Sequence, residues 1–279
     1  MIRPYIGRFA PSPTGPLHFG SLVAALASWL DAKHHNGKWL VRIEDIDPPR
    51  EVAGASDQIL RSLHAHGLIA DQPLTYQSQR SDFYENALSH LQNNGAIYGC
   101  DCSRKRLNGQ AYDGYCRTRQ NLVSTPYALR AKVTKPWVDF EERISEPGGQ
   151  IEGDFIVRRK DQLYAYQLAV TVDDALQGVT HIVRGDDLID STPMQVWLQK
   201  QLGYPQIAYA HLMTVKNAQG QKLSKQTGAN ALSNTTPAAN ILAALQYLRQ
   251  PIPEVSFDVD KILQFASKNW QIDRLNTTQ

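Results

Sequence analysis

The stretch from Arg8 to Ser21, RFAPSPTGPLHFGS, has the residue types of a phosphate-binding turn. It is rich in glycine, proline and small polar side chains, and it joins a predicted strand over residues 2–9 to a predicted helix over residues 21–35. Such a turn can direct backbone N–H groups and the positive end of the helix dipole at an anion. His18 stands in the last turn before the helix. The pattern predicts a nucleotide-phosphate site, although a connecting loop without a ligand has the same composition.

The cysteines form a second candidate site. All of them lie close together in the sequence: Cys100, Cys102 and Cys116. An odd, clustered set argues against a disulfide scaffold. Three thiolates would supply three of the four ligands of a tetrahedral zinc site. The spacing leaves Tyr112, Asp101, Asp113 or water as the fourth ligand, and inert thiols remain the alternative.

Two further segments carry charges in positions suited to ligand binding. Glu44 begins an acidic, proline-rich loop after a predicted strand over residues 38–44, where the carboxyl edge of a parallel sheet would bind ligands. Ordinary loop polarity is the alternative. Lys222 and Lys225 flank a serine after a glycine-containing turn and could clamp a polyphosphate, although lysine-rich turns are usually only solvated.

Net charge limits where a nucleic acid could bind. The chain has 279 residues, a formal net charge of +2 and a pI near 8.4, so it is not a polycation. The one clearly basic region, residues 98–134, also contains several tyrosines, a combination that suits phosphate contact and base stacking. A solvated charged face is the alternative. No apolar run has the length of a signal peptide core or a membrane span, so we expect a cytoplasmic protein.

Hydrophobic periodicity predicts an α/β protein with a parallel sheet, because strands and helices alternate along the first third of the chain. The predicted helices after the first span residues 56–66, 81–93, 192–202, 237–248 and 257–270. Extended segments are predicted at residues 151–157, 163–172 and 181–183, with another short apolar segment at 209–215. The acidic stretch over residues 136–149 is predicted to be a surface excursion.

Five blocks occur in one order along the chain: RFAPSPTGPLHFGS, RIEDID, YQLAVTVDD, HIVRGDDL and KLSK. Together they resemble class I glutamyl-type aminoacyl-tRNA synthetases. The sequence from His18 to Ser21, HFGS, is similar to the HIGH signature of that class. KLSKQ is similar to its KMSKS loop, with Gln226 in place of the final serine. The resemblance implies a Rossmann-like catalytic core with an inserted zinc-containing α/β subdomain and a short helical C-terminal segment.

The expected domain organisation follows from this resemblance. Residues 1–95 and 181–230 would form the two halves of the catalytic domain, residues 96–180 the insertion and its return to the core, and residues 231–279 a helical segment. An anticodon-binding domain cannot fit in that last segment. The chain therefore resembles the truncated glutamyl-Q group of this class, which implies ATP-dependent activation of L-glutamate and its transfer to queuosine in the anticodon of tRNA-Asp. A monomer without membrane contact is expected.

The resemblance also implies the role of individual residues. Catalysis would depend on His18, Lys222 and Lys225, and ATP would contact Pro11, His18, Gly20, Ser21 and Lys225. Glutamate would be bound by Arg8, Ser12, Glu44, Tyr166 and Arg184. Arginine forks suit bidentate carboxylate binding, and a carboxylate suits the ammonium group. One structural Zn²⁺ would be held by Cys100, Cys102, Tyr112 and Cys116, and Mg²⁺ would accompany ATP.

The sequence is compatible with two other functions. One is a truncated glutamyl-tRNA synthetase that charges the 3′ end of tRNA-Glu. The other is a non-catalytic RNA-binding module derived from a synthetase, against which the retention of His18, Lys222 and Lys225 argues.

Overall fold

The computed structural model of the chain describes residues 3–119, 125–216, 230–254 and 258–275. The helices are α1 Phe19–His34, α2 Ala55–Ala65, α3 Ser81–Asn93, α4 Arg104–Leu107, α5 Tyr166–Leu176, α6 Thr192–Leu202, α7 Pro237–Tyr247 and α8 Val259–Lys268. The strands are β1 Ile6–Phe9, β2 Lys38–Ile43, β3 Thr75–Tyr76, β4 Ile97–Cys100, β5 Ala128–Ala131, β6 Trp137–Val138, β7 Gly149–Gln150, β8 Ile156–Arg158, β9 His181–Gly185 and β10 Ala208–Leu212. None of the helices in these ranges is long and apolar enough to span a membrane.

Parallel strands form the centre of the fold, as the alternation of elements predicts. β1 pairs with β2 and β2 with β3, while β9 pairs with β10, all in parallel. The N–H of Thr180, just before β9, donates to the carbonyl of Ile6 on β1 at 2.9 Å and so joins the two groups of strands. The carboxyl ends of β1, β2 and β9 therefore lie at one edge, where ligands bind in open α/β sheets.

Antiparallel strands form a smaller second region. β5 lies between β4 and β8, and β6 pairs with β7. β4 ends at Cys100, so the cysteine-containing segment begins at the end of this sheet.

Helix α1 lies at the centre of one hydrophobic core. Leu22, Leu26 and Leu30 on one face of α1 are almost fully buried. They share a cluster with apolar side chains of β2, α7 and α8, so the helices near the end of the chain pack against the helix that follows the opening loop. A second cluster joins α3, α5 and α6.

Two predictions from the sequence are wrong. Residues 163–172 were expected to be extended, but α5 begins at Tyr166, and Leu168 to Val172 are buried on every side. The run Leu168 to Val172 is almost entirely apolar and includes three β-branched residues, so it shows no helical spacing and favours a strand prediction. The acidic stretch over 136–149 is not a mere surface excursion, because Phe140 and Ile144 are buried and Glu142 forms a parallel bridge with Tyr209 of β10.

Candidate functional site

A cavity of about 320 Å³ opens beside the carboxyl ends of β1 and β2. Its wall includes three of the five residues predicted to bind glutamate: Ser12, Glu44 and Tyr166. The opening loop is fixed to this edge because the carbonyl of Pro11 accepts the N–H of Glu44 at 3.0 Å. Two residues that the sequence did not indicate, Gln77 and Arg159, complete part of the wall.

The other two predicted glutamate-binding residues, Arg8 and Arg184, are buried and interact electrostatically with Tyr166. Burial raises the pKa of the Tyr166 hydroxyl, and the Glu44 carboxylate raises it further, while the guanidinium groups of Arg184 and Arg8 lower it. The structure thus brings Arg8, Glu44, Tyr166 and Arg184 together around one phenol ring. This arrangement offers two cations and one carboxylate to a ligand that carries both charges.

Arg8 is held by a buried ionic network that sequence reasoning missed. Asp174, on α5, accepts from Arg8 and forms an ion pair with Arg42 at 2.8 Å. Arg42 is fully buried on β2 and also contacts Glu44 at 3.4 Å and Asp173 at 3.7 Å. Burial alone would raise the pKa of Asp174, but Arg42 and Arg8 lower it below its ordinary value. The sequence contains two signals of this network: Arg42 stands in an otherwise apolar strand, and Asp173 and Asp174 are consecutive acidic residues. Both signals lie in blocks that were assigned only by resemblance.

Arg184, on β9, is fixed by neutral partners. Its Nη2 donates to Thr192 Oγ1 at 2.7 Å, its Nη1 to Gln195 Oε1 at 2.9 Å, and its Nε to His211 Nε2 at 3.2 Å. Glu142 lies 2.6 Å from His211 Nδ1 and orients that ring. Because none of these direct contacts is with a carboxylate, the charge of Arg184 remains available to an anionic ligand.

Three of the residues predicted to contact ATP, His18, Gly20 and Ser21, lie around the start of α1, while Pro11 lies in the loop before it. His18 is the N-cap of this helix, and its Nδ1 accepts the N–H of Ser21 at 3.2 Å. In a neutral imidazole the proton is then on Nε2, which can donate to a phosphate oxygen. A cavity of about 210 Å³ is lined by His18, Gly20 and Ser21, together with Gly185 at the end of β9. Lys222 and Lys225 lie outside the described residues.

The four predicted metal ligands are in contact with one another. The Sγ atoms of Cys100, Cys102 and Cys116 all lie within 4.8 Å of one another, and those of Cys102 and Cys116 are 3.5 Å apart. The hydroxyl of Tyr112 is 3.4 Å from Cys100 Sγ and 3.7 Å from Cys102 Sγ. Among the fourth ligands that the sequence left open, Tyr112 has the best position.

These distances fit a zinc ion. Bond lengths of about 2.3 Å to sulfur and 2.0 Å to oxygen in a tetrahedron put ligand atoms about 3.5 to 3.8 Å apart. The contacts of Tyr112 with Cys100 and Cys102 lie close to that spacing. Three soft thiolates also favour zinc over hard cations such as Mg²⁺.

Much of the charge in the basic region is already neutralised. Arg106 pairs with Asp113 at 2.6 Å, Arg119 with Asp101 at 2.7 Å, and Arg117 with Asp154. Arg130 is buried, with its guanidinium 4.0 Å over the ring of Tyr112. The density of arginines in the sequence therefore overstates the cationic surface that the region offers to RNA.

Comparison with known proteins assigns a family to this geometry. Residues 6–252 match the profile of the family described as "tRNA synthetases class I (E and Q), catalytic domain". The chain is 50% identical over 277 residues to a glutamyl-Q tRNA(Asp) synthetase of Yersinia pestis, covering 96% of this chain and 86% of the relative. It is 48% identical over 289 residues to the protein of that name from Dechloromonas aromatica, covering 98% of this chain and 96% of the relative.

Solved structures show the same fold. A glutamate tRNA ligase from Elizabethkingia meningosepticum, solved with its amino acid, superposes with a TM-score of 0.83 at 23% sequence identity. The superposition covers 99% of this chain but 66% of that enzyme, so the chain spans about two thirds of its length.

Proposed function

Since this chain belongs to the glutamyl-Q tRNA(Asp) synthetases of the class I tRNA synthetase family, we propose that it activates L-glutamate with ATP and transfers the glutamyl group to queuosine in the anticodon of tRNA-Asp. The grouping of Arg8, Glu44 and Arg184 around Tyr166 carries the assignment of the amino acid. Glutamate has two carboxylates and one ammonium group, which two fixed cations and one carboxylate complement.

In the first step a carboxylate oxygen of glutamate attacks the α-phosphorus of ATP, and pyrophosphate leaves. Glu44 binds the ammonium group, while Arg8 and Arg184 bind carboxylate oxygens. His18, held by its contact with Ser21, donates from Nε2 to a phosphate oxygen. Lys222 and Lys225 would neutralise charge on the transferred and leaving phosphates. Mg²⁺ would be bound mainly by the phosphates of ATP.

In the second step a hydroxyl of the queuosine ring attacks the carbonyl carbon of the adenylate, and AMP leaves. The choice of this acceptor rests on the relatives, because no residue of the site by itself identifies queuosine. Zinc would hold the Tyr112 and Cys116 segment against the end of β4 and so has a structural role.

The proposed division of the chain after residues 95, 180 and 230 separates the two catalytic halves from the insertion and the C-terminal segment. The ATP and tRNA substrates would place the activity in the cytoplasm, and we propose a monomer.

Two assays test this function. ATP–pyrophosphate exchange in the presence of glutamate and without tRNA should proceed, and glutamine should support it far less, because an unpaired buried arginine is costly. Radiolabelled glutamate should then be transferred to tRNA-Asp that contains queuosine, but not to tRNA-Asp that lacks it or to tRNA-Glu. Periodate treatment of the tRNA should abolish transfer by destroying the cis-diol. Label on tRNA-Glu alone would identify a truncated glutamyl-tRNA synthetase, and absence of exchange would leave only a binding module.

A further inference from the structure

A third cavity, of about 340 Å³, lies between the cysteine cluster and the glutamate cavity. Ile156 and Arg159 form part of the walls of both cavities, so the two are neighbours on either side of these residues. Cavities that bind small molecules or parts of larger ones usually have about 300–1,000 Å³. The space beside the cysteines is therefore large enough for a nucleotide-sized group.

The charges on its wall favour an anion. The wall contains three cationic side chains, those of Arg130, Arg159 and Lys160, and one carboxylate, that of Asp161. Arg130 already has two partners: its guanidinium lies over the ring of Tyr112, and its Nη1 donates to the carbonyl of Asp154 at 2.6 Å. Arg159 pairs with Asp161 at 2.6 Å.

Lys160 differs from both arginines. Its Nζ donates to the carbonyl of Asp101 at 2.6 Å, and within the described ranges no carboxylate lies at ion-pair distance from it. An ammonium group carries three N–H donors, so two remain for other acceptors. The backbone contact fixes the position of this charge at the cavity without neutralising it.

We propose that this cavity is the subsite for a nucleotide of the acceptor RNA next to the one that receives glutamate. The ammonium group of Lys160 contacts the phosphate of that nucleotide, and its base lies against the apolar atoms of Ala128, Ile156 and Leu107. This assignment rests on the proposed function, since it requires an RNA hydroxyl to reach the activated carboxyl group in the adjoining cavity. Unstacked bases of an anticodon loop suit such a pocket.

RNA binding measured without catalysis tests the subsite. The probe is a fluorescently labelled anticodon stem-loop of tRNA-Asp, titrated into the full chain at several salt concentrations. Lys160→Gln keeps an N–H donor for Asp101 but removes the charge, so Kd should rise roughly five- to tenfold. The slope of log K against log salt should also become shallower by about 0.7, the value for one contact with a single-stranded phosphate.

Lys200→Gln is the matched control, because Lys200 also donates to a backbone carbonyl, that of Asp139, and lies on α6 away from this cavity. A second variant, Ala128→Leu, fills the cavity without changing charge and should raise Kd at an unchanged salt slope. Metal content and the unfolding midpoint of each variant are measured in parallel.

The subsite is wrong if Lys160→Gln and Lys200→Gln have the same Kd and salt slope and Ala128→Leu binds like the wild type. If the proposed function is wrong but the subsite is right, RNA binding would still depend on Lys160, and ATP–pyrophosphate exchange with glutamate would be absent. If Lys160→Gln loses its metal, the Kd of Ala128→Leu decides, provided that this variant keeps its metal: a raised Kd supports the subsite, and a wild-type Kd refutes it.

Discussion

Arg8 and Asp174 meet through two side-chain contacts, 3.2 Å between Nε and Oδ1 and 3.4 Å between Nη2 and Oδ2. Both residues are buried, with 4% and 2% of their surface exposed. These contacts use one edge of the guanidinium group and so fix the direction of Nη1. Asp174 is therefore a positioning residue for the arginine that we assign to substrate carboxylate binding.

We expect Asp174→Asn to raise the KM for glutamate in ATP–pyrophosphate exchange more than it lowers kcat. The amide has nearly the shape of the carboxylate but leaves Arg8 and Arg42 without their shared counter-charge. Breaking such a buried pair typically costs about 3–5 kcal/mol, so the unfolding midpoint should also fall. Asp174→Glu, which restores the charge, should recover part of the affinity for glutamate.

Asp71→Asn is the control for this experiment, since Asp71 forms an ion pair with Lys33 at 2.6 Å in which both side chains are partly exposed, and the amide oxygen of Asn can still accept the N–H of Trp39, which lies 2.6 Å from Asp71 Oδ2. Exposed pairs contribute about 0–1 kcal/mol. Equal effects of the two substitutions on the KM for glutamate would contradict the positioning role of Asp174.

Lys225→Ala should lower the rate of exchange by about 100-fold or more, the usual loss when one group that stabilises transition-state charge is removed. Binding of glutamate, measured by calorimetry without ATP, should change little. Lys216→Ala removes an exposed lysine that precedes the KLSK segment in the sequence and should leave exchange intact. An unchanged rate for Lys225→Ala would remove this residue from the mechanism.

Cys102→Ser should abolish zinc binding as measured by elemental analysis, because a hydroxyl is a poor substitute for a thiolate. Tyr112→Phe keeps all three sulfurs and should weaken zinc binding in competition with a chromogenic chelator. Tyr127→Phe removes an exposed phenol and serves as the control. A wild-type protein purified without chelators and free of zinc would refute the site.

Stability should depend on His181 below neutral pH. Burial and the nearby charge of Arg143 lower the pKa of this ring to about 4, while an unfolded histidine titrates near 6.5. The unfolded state therefore binds the proton first, and stability present above pH 6.5 is lost as the pH falls toward 4. At pH 5 the loss is at most about 2 kcal/mol, since partial exposure of the ring reduces the effect.

Chemical denaturation of His181→Asn at pH 7.5 and pH 5 checks this expectation, because the variant should lose less stability between the two values than the wild type. His64→Asn, at an exposed position on α2, should behave like the wild type. If all three proteins lose the same free energy of unfolding, His181 does not titrate in this way.

Local sequence signals predicted most elements of the fold. The bounds of α3 agree with those predicted from the sequence, where Gly95 follows the helix, and the bounds of α6 agree with those predicted from the cap at Ser191 or Thr192 and Pro193 in the first turn. β2 follows its predicted pattern closely. α5 could not be recognised, because the buried run in its middle, Leu168 to Val172, is almost entirely apolar and shows no helical spacing. The buried part of residues 136–149 could not be recognised either, because its bridge to β10 joins residues far apart in the sequence.

The candidate site was less accessible to sequence reasoning than the fold. Arg8, Glu44 and Arg184 are separated by most of the catalytic region, and only resemblance to a family linked them before the structure did. The supporting residues Arg42 and Asp174 had no assigned role, since nothing in a single sequence says which buried charges pair. Cysteine spacing alone left Tyr112 as one of four possible fourth ligands, and only the family resemblance singled it out before its distances to the sulfurs were known.

Asp31, inside α1, accepts hydrogen bonds from three distant parts of the chain. The Tyr5 hydroxyl donates from just before β1, and the Arg143 guanidinium donates from the segment between β6 and β7. The indole N–H of Trp270, just beyond α8, donates to Asp31 Oδ1 at 3.0 Å. The indole of Trp270 thus gives the protein an internal optical reporter. Its N–H shares one carboxylate with the other two donors, so detachment of any of these segments would change the surroundings of this indole, one of five in the chain, and contribute to the change in fluorescence as the fold is lost.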